Sequence, residues 1–239
     1  MLADTRIELA EEVAASIDGP AVSCDVTQEQ DIINLVAQAE SKYGPIDLFC
    51  SNAGLCIDEP DHAASASNEV WQLCWDIHVM AHVYAARAVL PSMISRKSGY
   101  LLNMCSAAGL LSLIGNAAYS ATKAAAIGFA ESVAITHGEQ GIKVSVICPQ
   151  YVATPLLGYT DSTVENLPDS TITTDVVAEA VVEGVRRESF LILPHPDVSK
   201  YISFKSADYD KWLATMQTLR TNATLALGTT NLRDIHKLG

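Results

Sequence analysis

Short apolar runs alternate with stretches of helical periodicity along most of this 239-residue chain, and that alternation restricts the fold more than any other feature. The runs at 21–24, 46–50, 100–105, 143–148 and 190–193 read as buried strands. Residues 7–17, 28–43, 67–96, 118–137 and 174–187 read as helices; Ile32, Leu35, Val36 and Ala39 show the spacing. Gly19-Pro20 and Gly44-Pro45 stop the first two, Gly138 and Gly141 end the fourth, and a break is expected near Pro91 in the third. A last helix is expected at about 209–226. Strand and helix in regular order give right-handed crossovers and a mostly parallel sheet with helices on both faces. No repeat or linker divides the chain, so a single α/β domain over 1–239 is expected.

The charge balance limits the partners. Fifteen basic against 28 acidic residues give a net charge of −13. That opposes binding to nucleic acid or to an anionic membrane surface. No apolar run reaches membrane-spanning length, and Met1–Arg6 lacks a signal-peptide core, so a cytoplasmic location is expected. The six cysteines include no C-x-x-C pair and read as free, mostly buried thiols.

In a parallel sheet the ligand sits beyond the carboxyl ends of the strands. The polar residues there are Asp25, Ser51-Asn52-Ala53-Gly54, Ser106 and Pro149-Gln150, which should line one crevice. Ser106 lies thirteen residues before Tyr119, and Lys123 follows Tyr119 by one helical turn. A phenol near pH 10 moves protons poorly at neutrality. An ammonium four residues on favours the phenolate, and a serine hydroxyl can bond both a carbonyl and the tyrosine oxygen. The three together suit proton exchange with an alcohol or ketone.

With these residues placed, the chain resembles the short-chain dehydrogenase/reductase family from about Ala3 to about Pro194. Asp25-Val26 looks like the adenine-contacting pair. Ser51-Asn52-Ala53-Gly54 looks like the family's N-N-A-G motif with Ser51 in place of the first Asn. Pro149, Val152 and Thr154 match the segment that closes over nicotinamide, with Gln150 where Gly is usual. Asp4 matches the acid that holds the adenosine ribose, which favours NAD over NADP, although Arg6 nearby weakens that preference. The resemblance implies a Rossmann-like fold, NAD or NADP as cofactor, and hydride transfer to or from a ketone or secondary alcohol. Tyr119 and Lys123 would contact cofactor as well as act in catalysis. It also implies a homodimer or homotetramer built on the Tyr119 helix, whose small-residue face is Ala121, Ala124, Ala125 and Gly128.

Two departures stand out. His78 occupies the position of the family's fourth catalytic residue, an Asn that holds a helix kink and a proton-relaying water. His78 reads either as a relay, since imidazole donates and accepts, or as a packed helix residue. The second departure is the glycine-rich pyrophosphate loop: no glycine precedes Gly19 and no G-x-x-x-G-x-G occurs. Leu2-Ala3-Asp4 looks like the tail of the family's second strand, so the fold is expected to be incomplete at its N-terminal side. The strand at Ala21 would then lose its neighbours. Three outcomes stay open: a longer natural chain, another segment or subunit in the gap, or a sheet that closes differently.

Other features read more plainly. His78 and His82 form an i,i+4 pair without a third ligand, so packing is expected rather than metal binding. Asp58–His62 reads as a solvated loop near the site mouth. Trp71, Trp75 and Trp212 read as core or interface anchors. Residues 156–173 read as a substrate lid, with Leu156, Leu157, Tyr159 and Leu167 as apolar contacts. Against the oxidoreductase reading stand a non-redox lyase or isomerase using the same trio, and a non-catalytic partner subunit.

Overall fold

The computed structural model describes residues 1–59, 61–160 and 167–238. Among the described residues there are eight strands: β1 (Leu2–Asp4), β2 (Ala21–Ser23), β3 (Leu48–Ser51), β4 (Gly99–Met104), β5 (Ile142–Ile147), β6 (Tyr151–Val152), β7 (Thr171–Ile172) and β8 (Leu191–Ile192). The helices are α1 (Ile7–Ser16), α2 (Glu29–Tyr43), α3 (Asn68–Trp75), α4 (Ala81–Ser95), α5 (Ala107–Leu111), α6 (Ala117–His137), α7 (Thr174–Arg186), α8 (Asp197–Ala207), α9 (Tyr209–Leu227) and α10 (Leu232–Ile235). A π turn, Asp76–Met80, joins α3 to α4.

The main sheet has the order β3-β4-β5-β8, all parallel. Its register runs from Gly99↔Ile142 to Met104↔Ile147, so the carboxyl ends of β4 and β5 finish level. The central strands are apolar on both faces because helices cover both: Leu101, Val144 and Val146 pack with Ala126, Ile127 and Ala130 of α6, while Leu102 and Ile147 pack with Val177 of α7. Full burial of each large aliphatic side chain is worth about 1.5–3 kcal/mol, which makes this sandwich the main source of stability. Side chains start the helices where the sequence places Ser, Thr and Asp: Ser67 caps α3, Thr173 caps α7 and Asp208 caps α9.

The strand at Ala21, expected to lose its neighbours, keeps one. β2 pairs in parallel with β1 in the register Leu2↔Ala21 to Asp4↔Ser23, because the short Leu2–Asp4 run is long enough for three pairings. This two-stranded sheet has no ladder to β3. The third helix also differs from expectation. Pro91 lies inside α4 without breaking it, and the irregularity falls at Asp76–Met80 instead. The stretch Asn68–Ser95 is, by length and composition, long and apolar enough to cross a membrane, contrary to the sequence reading. Its Cys74, Val79, Ala85, Val89 and Met93 are nonetheless buried against protein, as in a core helix.

Candidate active site

Helix α6 carries Tyr119 and Lys123 on one face, and β4 ends at Met104, two residues before Ser106. Ser106 sits in extended backbone as the cap of α5, its Oγ accepting from Ala108 N at 3.1 Å. Its hydroxyl also lies close enough to the Tyr119 phenol to favour the ionised form. α5 lies tight on α6: a methyl added at Gly109 would stand 2.7 Å from the Lys123 carbonyl carbon, so only glycine allows this approach.

Lys123 is buried, donates from Nζ to the Met104 carbonyl at 2.7 Å and stands 5.7 Å from the Tyr119 ring centre. Burial holds its ammonium pKa below the usual lysine range. The expectation that Lys123 lowers the phenol pKa is not met in this geometry. Burial dominates and pushes Tyr119 above its ordinary value, with the Ser106 hydroxyl opposing it.

His78 lies inside the π turn, whose wider backbone carries its ring inward; the ring meets Tyr119 edge-on at 5.3 Å. Thr122 Oγ1 donates to the Ala118 carbonyl at 2.8 Å, so it accepts from His78 Nδ1–H at 2.9 Å. That leaves Nε2 to accept from Leu55 N at 3.3 Å. Both ring nitrogens are thus committed, and burial with the nearby Lys123 charge brings the pKa down to about 3. His82, one turn on, is buried with both nitrogens unpartnered among the described residues and is likewise lowered to about 3.

The other predicted positions divide into two groups. Gly54 approaches the cluster, since a methyl there would lie 3.7 Å from Lys123 Nζ and 3.9 Å from His78 Nε2. Asn52 and Ala53 are exposed just beyond the unpaired edge of β3. Pro149 is held by its carbonyl to Ala107 N at 2.9 Å, while Val152 lies in β6 and Thr154 follows it. Asp25 and Asp4 stand apart from the Tyr119 cluster in their bonding. Asp25 accepts from Thr27 N and Oγ1 at 3.0 and 2.8 Å, next to Val26. Asp4 accepts from Arg6 N at 2.9 Å and pairs with its guanidinium at 3.6 Å.

Several participants were missed by sequence reasoning. His195, in the turn after β8, accepts from Gln150 N at Nδ1 (3.1 Å) and donates from Nε2 to the Tyr151 carbonyl (3.0 Å). It clamps the segment between Pro149 and Val152. Asp58 and Glu59 are not a merely solvated loop: Glu59 accepts from Ala117 N at 3.0 Å, and Asp58 accepts from Asn116 Nδ2 at 2.9 Å, both at the start of α6. An acid placed at a helix N-terminus satisfies free backbone donors, which only the fold brings within reach. Of the lid, residues 161–166 lie outside the described residues, while Leu157 is buried and Leu156 exposed.

The residues present fit the nicotinamide-ribose half of a dinucleotide. Gly54 brings bare backbone up to the Lys123 ammonium, and Ser106, Tyr119 and Lys123 offer hydroxyl and ammonium donors within one cluster. No glycine-rich backbone for a pyrophosphate is found among these residues.

The fold is shared with solved structures. A short-chain dehydrogenase from Streptomyces avermitilis superposes with a TM-score of 0.75 at 24% identity, over 91% of this chain and 86% of that one. A short chain dehydrogenase/reductase from Burkholderia phymatum, solved in complex with NAD, gives 0.77 at 21%, over 87% and 84%. By sequence the chain is 30% identical over 184 residues to human epidermal retinol dehydrogenase 2, covering 73% of this chain and 57% of that protein. It is 30% identical over 207 residues to the CLA biosynthesis dehydrogenase/reductase of Lactiplantibacillus plantarum, covering 76% and 72%. It therefore spans little more than half the length of the human relative. Residues 1–165 match the short chain dehydrogenase family, and the chain belongs to it.

Proposed function

We propose that this chain is an NAD(P)-dependent oxidoreductase acting on a secondary alcohol or ketone through Ser106, Tyr119 and Lys123. The observation that carries the reading is the convergence of Ser106 and a buried Lys123 on one phenol. Ser106 orients the substrate oxygen and Tyr119 gives or takes its proton. Lys123 holds the ribose hydroxyls and sets a positive charge beside the phenol. Asn52, Ala53, Gly54, Pro149, Val152 and Thr154 would hold the nicotinamide half, and Asp4, Asp25 and Val26 the adenosine half. The nicotinamide ring, when bound, supplies the hydride acceptor or donor.

His78 acts by position rather than as a proton relay. Its two ring nitrogens are already committed, and it ties the loop after β3 to α6. Asp4 favours NAD over NADP, with its pairing to Arg6 reducing the contrast. Ala121, Ala124 and Gly128 are exposed on α6 and offer a close-packing face for a second copy.

A second reading is favoured by the raised Tyr119 pKa. A neutral phenol is a donor, which suits a non-redox lyase or isomerase step as well as ketone reduction. Titration with NADH, followed by nicotinamide fluorescence, separates the two. Binding followed by ketone-dependent loss of absorbance supports the oxidoreductase. Turnover that is indifferent to added nicotinamide but lost in Tyr119→Phe supports the second reading.

A further inference from the structure

Residues 229–238 follow α9, pack against residues flanking the start of α6 and are pinned at both ends. At the start, Leu232 N donates to Asp58 Oδ1 at 3.0 Å, the same oxygen that accepts from Asn116 Nδ2. Asn116 lies one turn before Tyr119, and its Oδ1 accepts from Cys56 Sγ at 2.9 Å. The Thr230 carbonyl presses on Gly115, where a methyl would come within 2.6 Å of it. At the far end His236 is fully buried. Its Nδ1 donates to the Leu232 carbonyl at 3.0 Å, and Nε2 accepts from the Tyr159 hydroxyl at 3.0 Å. Leu232 and Ile235 of this segment pack on Cys56, Leu113, Ile114 and Tyr151. The segment thus covers the loop after β3, the turn between Ser106 and Tyr119, and the start of the lid.

We infer that residues 229–238 form a displaceable strap over the substrate side of the Tyr119 site, latched by Asp58, and that an apolar-bodied alcohol or ketone takes the place of Leu232 and Ile235 when it binds. This rests on the reading of Tyr119 as the proton-transfer group. Among the described residues the strap is held to the rest of the chain by bonds to Asp58, Tyr159 and Ser170, and the Asp58 latch, one carboxylate oxygen shared by two donors, is simple to release. The surface it would uncover is apolar, so displacement without a replacement body is unfavourable. Specificity for apolar substrates follows from that balance: a small polar alcohol offers nothing to exchange for the strap.

Cys56 reports on the strap without any turnover. Burial and the Asp58 charge push its thiol up to about 12, which suppresses reaction with alkylating agents. The test compares N-ethylmaleimide labelling at each cysteine, read by peptide mass, in the natural chain, in Asp58→Ala and in Leu232→Pro. Proline at the first position of α10 deletes the donor to Asp58, keeps the Asp58 charge and is tolerated there. Labelling of Cys56 should rise at least about ten-fold in both variants, with the buried Cys74 and Cys148 unchanged. An unchanged Cys56 rate in Leu232→Pro, or a rise shared by Cys74 and Cys148, overturns the strap. In the natural chain, 2-decanone should speed amide exchange across 229–238 while 2-propanol leaves it unaltered; equal behaviour overturns the substrate assignment. Both readouts remain decisive if no nicotinamide binds, so failure of the oxidoreductase reading is seen separately.

Discussion

Thr122 Oγ1 stands 2.9 Å from His78 Nδ1 and takes that ring's proton into a hydrogen bond anchored on helix α6. The bond fixes the imidazole tautomer and joins the π turn to the helix that bears Tyr119 and Lys123. Thr122→Val keeps the shape and removes the acceptor, leaving a buried N–H unpaired. The expected loss is about 1–3 kcal/mol, seen as a lower midpoint in urea unfolding with an unchanged slope.

Acid should weaken the fold through two histidines. His78 and His82 are held neutral by burial and by Lys123, each down to about 3, against an ordinary value near 6.5. Between those values the unfolded chain binds more protons than the folded one, so stability falls as pH drops through the window. Their contribution is level above it. The slope is about 1.4 kcal/mol per pH unit for each histidine. Urea midpoints from pH 7 to pH 4 measure it. His82→Leu should raise stability at neutral pH by about 1–3 kcal/mol and reduce the slope, because it removes two unpartnered buried nitrogens.

Tyr119→Phe and Ser106→Ala should differ in kind. The first deletes the proton-transferring oxygen and should lower kcat by about a hundred-fold or more at unchanged nicotinamide affinity. The second also removes the cap of α5, so about 1 kcal/mol of stability is lost with the activity. Steady-state rates beside thermal melts of the same preparations make the comparison.

Gly109→Ala tests the packing beneath the site. The added methyl meets backbone atoms of Lys123 and Ala124 at 2.7–2.9 Å, so α5 must move away from α6. Stability should fall by about 1–3 kcal/mol. Ser106, three residues earlier, should move with α5, so kcat falls while nicotinamide binding holds. Wild-type kcat in this variant would show that Ser106 is positioned by β4 alone.

His195→Phe removes the clamp on Gln150 and Tyr151 while keeping a buried ring. Exchange of the Gln150 amide should accelerate at least about ten-fold, measured by hydrogen–deuterium exchange, with amides in β4 unaffected.

Much of the fold was legible because local signals and tertiary context agreed. The helices at Glu29–Tyr43 and Ala117–His137 have clear periodicity and glycine stops, and their limits fell within a residue of expectation. The spacing of Ser106, Tyr119 and Lys123 carried the site, since helix geometry alone puts the last two on one face. What was not legible depends on long-range contact. Pro91 has a strong breaking signature, but its missing N–H is tolerated within α4, and the real irregularity at Asp76–Met80 has no proline or glycine to mark it. The latch at Asp58 joins residues 174 positions apart, a separation no local pattern encodes. Burial, also unreadable from spacing, reversed the expected direction of the Tyr119 shift.

The π turn at Asp76–Met80 accommodates one more residue than a regular helical turn would. Deleting a single residue there would turn the widened segment into regular helix and leave α3 and α4 in their present relative phase, because the wide turn absorbs the extra position within itself. Cys74 would stay in the interior and Leu73 and Trp75 outside it, while His78 would lose the widened backbone that carries its ring inward. The widened turn therefore uses one inserted position to aim a single ring, with the faces of the flanking helices left as they were.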